Sequence, residues 1–186
     1  MMDQFKEEVV TKRNAGLQSA LYIFATAMMV LLGVYALLVF SNIFTILSYE
    51  GFSTTFFVAI VEFLVFGGAA AAIFLYRDRI KCEYEYTLTN TQMDFAQVFN
   101  NKKRKSLGTM NIRNVEACGM VASGSFNRYI SMQNVKRSNW FLNRDAELFY
   151  FFFQKDGSKR IIIIEPSEEM RYMIKKSVPQ GVWQNN

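Results

Sequence analysis

The chain has 186 residues, two cysteines and no histidine, and its 21 Lys and Arg exceed its 16 Asp and Glu for a net charge of +5. Without histidine, Ser–His and Cys–His nucleophiles and His-ligated metal sites are excluded, and Cys82 and Cys118 form no metal-binding spacing. No phosphate-cradling Gly-rich loop of the P-loop or dinucleotide type occurs either, so the composition points away from an enzyme and from any cofactor.

Residues 1–16 form a short polar segment carrying Lys6, Lys12 and Arg13. No charge then appears between Arg13 and Glu50. The apolar stretch Leu17–Phe40, continuing to about Leu47, exceeds the roughly 20 residues that cross a bilayer. It is also far longer than the apolar core of a cleaved signal peptide, about 7–15 residues. A second apolar stretch, Phe52–Tyr76, holds a single charge, Glu62. The short link Ser48–Phe52, with Gly51 as its turn residue, forces the two spans antiparallel. Residues 17–76 are therefore expected to form a transmembrane hairpin with spans near 17–47 and 52–76. Arg77, Arg79 and Lys81 follow the second span, whereas the link has neither Lys nor Arg, so both termini are expected in the cytoplasm of a two-span cell-membrane protein. In that compartment both thiols stay reduced. Tyr22, Tyr49 and Tyr76 suit interfacial anchors. Gly68, Ala69 and Ala72 lie on one side of the second span, with Gly33 and Ala36 as candidate facing positions. Glu62 is an intramembrane polar site with two readings. It serves a proton or ion path or an oligomer contact, or it is a protonated carboxyl bonded to a polar group such as Asn42 or Thr26.

From Arg77 onward there are 18 Lys and Arg against 11 Asp and Glu, so the basic surplus sits in the tail. Glu83–Leu88 alternates with period two, as a half-buried strand does. After a turn at Thr89–Asn90, Met93–Val98 alternates again. Asn100–Lys105 reads as a basic hairpin tip and Ser106–Met110 as the returning strand. Val115–Val121 follows as a further strand. Ala122–Asp145 lacks periodicity and reads as an excursion with short elements at most. Leu148–Phe153 is a continuous apolar run, suited to a strand buried on both faces. Lys155-Asp156-Gly157-Ser158 signals a hairpin into Ile161–Ile164. Ser167 caps a last helix, whose Met170, Met173, Ile174 and Val178 make an apolar stripe.

Tyr86-Thr-Leu-Thr89, the basic run Lys102–Lys105 and Ile112-Arg-Asn-Val115 together resemble bacterial membrane-tethered pleckstrin-homology-like domains. The two-helix anchor ahead of them is similar to that of a group of small membrane proteins from Gram-positive bacteria. The resemblance spans about Cys82–Val178 and implies recognition and scaffolding in place of catalysis. The expected fold is thus an α+β membrane protein. An N-terminal helical hairpin precedes a mostly antiparallel β, pleckstrin-homology-like domain, residues 77–186, ending in an amphipathic helix.

Two surface features suit binding. Lys102, Lys103, Arg104 and Lys105 suit anionic lipid headgroups, or else form an ordinary solvated turn. The excursion interleaves Phe126, Tyr129, Trp140 and Phe141 with Arg128 and Arg137, as partner or membrane interfaces do, unless its aromatics simply cover the sheet. The paired acids Glu83/Glu85 and Glu168/Glu169 have structural explanations on a strand face and at a helix start. The expected partners are membrane lipids and a protein, or another copy through the spans; tethering argues against nucleic acid. The expected function is a non-catalytic, membrane-tethered recognition or scaffolding module at the cytoplasmic face. The alternative is a small oligomeric transport or channel component using Glu62.

Overall fold

A computed structural model describes residues 5–184. Residues 1–4 of the expected N-terminal segment and 185–186 of the expected C-terminal domain lie outside it. Two compact units emerge: residues 14–81, and residues up to 13 joined with those from 82 onward.

The first unit is a pair of long helices, α1 (Ala15–Glu50) and α2 (Thr54–Tyr76), followed by a 3₁₀ turn at Arg77–Ile80. At 1.5 Å per residue the two helices are about 54 and 35 Å long, each enough to cross a hydrocarbon layer of about 30 Å. Gly51 reverses the chain at φ +66, and the Ser53 hydroxyl caps α2 by accepting from the Phe56 amide. Only 11% and 6% of the most apolar stretches of the two helices are buried, whereas a core helix of a water-soluble domain hides most of its apolar surface. The helices meet through Tyr35 and Phe66 (rings 4.6 Å apart), Phe40 and Phe63 (5.2 Å), and Ala36 against Gly67. Gly67, not Gly68, is the close-approach glycine. A Cβ on Gly67 would lie 3.8 Å from that of Ala36, whereas Gly68 and Gly33 have no neighbour within 4 Å. A difference of one residue turns a helix by about 100°, and the larger Phe63 and Phe66 set the rotation.

The second unit holds two sheets and three helical segments. Its first surprise is β1 (Phe5–Val10), which pairs antiparallel with β2 (Cys82–Thr89), Glu8 opposite Tyr86 and Val10 opposite Tyr84. Phe-Lys-Glu-Glu-Val-Val has no apolar alternation, and only Val10 is buried. Backbone pairing, not a hydrophobic face, recruits it. β3 (Gln92–Phe99) and β4 (Lys103–Asn111) complete a meander in the order β1-β2-β3-β4. Asn100 and Asn101 both take positive φ, and the Lys102 amide donates to the Phe99 carbonyl at 3.0 Å, which confines the turn to residues 100–102. Lys103, Arg104 and Lys105 are therefore strand residues and not a hairpin tip.

The second sheet is built from β5 (Ala117–Met120), β6 (Lys136–Trp140), β7 (Phe149–Lys155), β8 (Ser158–Ile164) and β9 (Trp183–Gln184), in the order β6-β8-β7-β5-β9. Asp156 and Gly157, at φ 53 and 69, turn β7 into β8. The excursion supplies α3 (Gly124–Ile130) and β6, which lies parallel to β8. The apolar runs of β7 and β8 serve two cores. Phe149, Phe151, Phe153, Ile162 and Ile164 face the first sheet, packing with Tyr86, Leu88, Met93 and Phe95. Tyr150, Phe152, Ile161 and Ile163 pack on the other side with Phe126 and Ala117. Each such Phe or Ile contributes about 1.5–3 kcal/mol on burial. α4 (Glu168–Ser177) starts at Ser167, whose hydroxyl accepts from the Met170 amide at 3.2 Å, and buries Met170 and Ile174 in the main core.

Candidate functional site

The two sheets do not close on each other. Among the described residues β4 has only β3 beside it, and β6 has only β8. A slot of ≈ 160 Å³ opens where these two edges approach. Its floor is Phe95, Phe153, Ile162 and Trp140; Leu107–Met110 of β4 form one wall, and Ser138, Lys155 and Arg160 surround the mouth. Several local features shape it. A bulge at Leu107 shifts the β3–β4 register between Phe95 and Ala96, and Gly108 next to it has φ +151. A Cβ on Gly108 would come within 3.9 Å of the Trp140 ring, so the glycine leaves the indole its place. Trp140 lies 4.8 Å from the Phe95 ring, and its carbonyl accepts from the buried Tyr86 hydroxyl. That hydroxyl in turn accepts from the Glu165 amide at 3.3 Å, and burial pushes the Tyr86 phenol well above its usual pKa. Strand alternation puts Lys136, Ser138 and Trp140 on one face of β6, beside Arg160, Ile162 and Ile164 of β8. The floor is apolar and fixed, while the mouth carries only positive charge. The Nε of Arg160 is shielded from water with no hydrogen-bond partner, and the nearest carboxylate, Asp156, is 3.8 Å away.

Compared with protein families, the chain matches the bacterial PH-like domain family DUF6106 over residues 2–184. The chain belongs to this family. No curated protein and no solved structure matches it. The matched region includes β1 and both long helices, so in this PH-like protein the helical pair is an insertion between two neighbouring strands.

The residues singled out in the sequence separate within the PH-like fold. Lys103 and Lys105 point to one face of β4 and Arg104 to the other, where it pairs with Glu85 at 2.6 Å; Lys102 is exposed in the turn. The four cations therefore do not make one patch. Phe126 is buried, 5.3 Å from the Tyr150 ring, and Tyr129 lies 4.7 Å from Phe152. Phe141 joins the same small core, and Trp140 floors the slot. The aromatics of the excursion thus cover the second sheet, leaving Arg128 and Arg137 exposed, the latter bonded to Asn139 at 2.8 Å. Glu62 has the Tyr35 hydroxyl at 3.5 Å as its partner, in place of Asn42 or Thr26. At the end of the helix pair, the Tyr22 ring carries Lys81 at 4.9 Å and Arg77 at 5.7 Å, and Tyr76 carries Arg79 at 4.7 Å.

A second polar site joins β1 to α4. The Glu8 carboxylate accepts from the Ser167 amide at 2.7 Å, Lys6 pairs with Glu169 at 2.5 Å, and Asn143 binds Glu165 and the Thr11 carbonyl. Burial raises the Glu8 carboxyl above its usual range; the Ser167 bonds oppose this. Arg13 and Arg171 at its rim are paired with Asp145 and Glu147, each at 2.5 Å. These contacts tie the N-terminal strand down, although the second carboxylate oxygen of Glu8, Oε2, is shielded from water without a hydrogen-bond partner. The slot was hidden in the sequence because its lining comes from five separated strands, with its cations Lys155 and Arg160 on β7 and β8. One signal was present: Lys136-x-Ser138-x-Trp140 has the period of a strand.

Proposed function

We propose that this chain is a non-catalytic recognition module for a protein partner, held at the cytoplasmic face of the cell membrane by a hairpin that crosses the bilayer twice. The connectivity carries this reading. The chain leaves the first sheet at Val10 and re-enters it at Cys82, on strands paired side by side. The outer ends of the two helices must then lie on the same side of any bilayer they enter, which requires an even number of crossings. The helices are long and apolar enough for one crossing each and leave most of that surface uncovered. Cleavage after α1, as for a signal sequence, would remove β1 from the sheet. Lys12, Arg13, Arg77, Arg79 and Lys81 flank the outer ends and favour the cytoplasm. PH-like domains are generally non-catalytic, which agrees with the missing histidines. The separation of Lys103 and Lys105 from Arg104 weakens a flat lipid-binding patch and favours a protein partner.

The test is thiol labelling of whole cells with a membrane-impermeant maleimide. The background is Cys82→Ser with the buried Cys118 retained, and single cysteines replace Tyr49 in the last turn of α1 beside the link and Asp156 in the β7–β8 turn. Position 49 is expected to label on intact cells and position 156 only after lysis. The opposite pattern, or equal labelling of both, overturns the orientation.

A further inference from the structure

We propose that the slot between β4 and β6 docks an extended acidic segment of the partner protein, added as a strand along the free edge of β6. One apolar side chain of that segment enters the slot, and a carboxylate two or four residues away meets Lys136, Lys155 and Arg160. The proposal rests on the recognition reading above and names its site and the chemistry of its ligand.

Three observations select this occupant. First, β6 is a regular edge strand, whereas the β4 edge opposite it is interrupted by the Leu107 bulge, so β6 is the edge on which a strand can be added. Second, ≈ 160 Å³ lies well below the roughly 300–1,000 Å³ of small-molecule pockets but gives room for one side chain. Trp140, already held by Tyr86 and Phe95, supplies a rigid anchor that needs no ordering on binding. Third, the mouth is cationic and under-neutralised. Lys155 at the mouth and Lys136, which flanks it opposite Arg160, form no ion pair among the described residues, and the guanidinium of Arg160 meets only the Asp156 carboxylate, at 3.8 Å. A carboxylate of the docked segment gives these cations a charge-assisted partner. Side chains on one face of a strand recur every second residue, so an apolar residue beside Trp140 places acidic residues two or four positions along beside Ser138 and Lys136. A lipid phosphate would satisfy the cations but make no use of the apolar floor.

The experiment uses the full-length chain in phosphatidylcholine nanodiscs, with Trp183→Phe so that Trp140 is the single indole. The probe is the peptide Gly-Ser-Thr-Leu-Thr-Glu-Thr-Glu-Ser-Gly, with its two Glu replaced by Lys as control. A saturable change in Trp140 emission is expected with the acidic peptide alone. Arg160→Gln is expected to weaken it about tenfold or more, the loss of one charge-assisted hydrogen bond. Lys155→Gln, at an exposed position, tests the same charge without disturbing the fold, and near-UV circular dichroism checks both variants. Charge-independent binding, indifference to both substitutions, or no response overturns the proposal. So does a response to phosphatidylglycerol nanodiscs in place of the peptide, which assigns the cations to lipid, or occupation of the slot by a second copy, seen as dimerisation in sedimentation. Inverted labelling at positions 49 and 156 would remove the cytoplasmic orientation while leaving the peptide result intact, so the two failures are separable.

Discussion

At the scale of single residues, Tyr86 links three parts of the PH-like domain. Its ring is fully buried in the main core, and its hydroxyl serves the Trp140 carbonyl and the Glu165 amide. Tyr86→Phe keeps the ring and orphans both backbone groups, so it is expected to lower stability by about 1–3 kcal/mol. Denaturant unfolding of the detergent-solubilised chain reads this directly, and a change within error means water replaces the hydroxyl. Glu8 gives a prediction with a sign. Burial raises its pKa, the Ser167 bonds and Lys6 lower it, and Glu165 raises it further, with burial dominant. A folded pKa above the unfolded one means the folded state holds the proton more tightly. Its contribution to stability is therefore complete below the unfolded pKa and lost as pH rises through the folded value. Glu8→Gln retains an oxygen for the Ser167 amide and removes the buried charge. The variant is expected to be more stable than the wild type at about pH 7, the gap closing by about pH 4. A gap that stays constant across that range refutes the assignment.

At the scale of elements, two strands far from the apolar runs decide how the sheets end. β1 covers the edge of β2 through backbone pairing and through Glu8 and Lys6 at the start of α4. Deleting residues 1–10 leaves the helical pair untouched but exposes that edge, a template for aggregation. The deletion variant is expected to aggregate in mild detergent, measured by size-exclusion chromatography; a monodisperse, equally stable product would show β1 to be dispensable. At the other end, β9 lies against Gly119, where a Cβ would sit 2.8 Å from the Gln184 carbonyl oxygen and 3.3 Å from its Cβ. Gly119→Ala must push β9 away, at about 1–3 kcal/mol if the core yields. Trp183, now 5.1 Å from the Phe149 ring, should then move toward solvent, with a red-shifted emission from this indole in a Trp140→Phe background. An unshifted spectrum would mean that the neighbouring backbone yields instead.

At the scale of the whole molecule, one compact unit is inserted in the sequence of the other. The helical pair is an insertion in the β1–β2 connection, so the domain is complete only when the residues before and after the hairpin come together. A protease site placed at Gly51 tests this. After cleavage, the fragment carrying β1 and α1 is expected to co-elute with the remainder, because strand pairing and the Tyr35, Phe40, Phe63 and Phe66 contacts persist. Separation of the fragments without denaturant would mean that the covalent link, not pairing, holds β1 in place.

The sequence by itself determined the elements whose side chains carry a period or a length. These are two apolar helices, the Tyr86 and Met93 strands, the doubly buried Phe and Ile runs, and the Ser167-capped helix. Hydrophobic burial is encoded locally, so Leu148–Phe153 announces a strand wherever its partners come from. Tertiary structure alone decided the rest. β1 and β9 are chosen by backbone hydrogen bonds that have no side-chain signature. The hairpin packs on Gly67 because large rings set its rotation, and the aromatics of the excursion turn inward because the second sheet offers them an uncovered face. Lys136, Lys155 and Arg160 converge only through the register of three strands, and register is a relation between distant segments that no single segment contains.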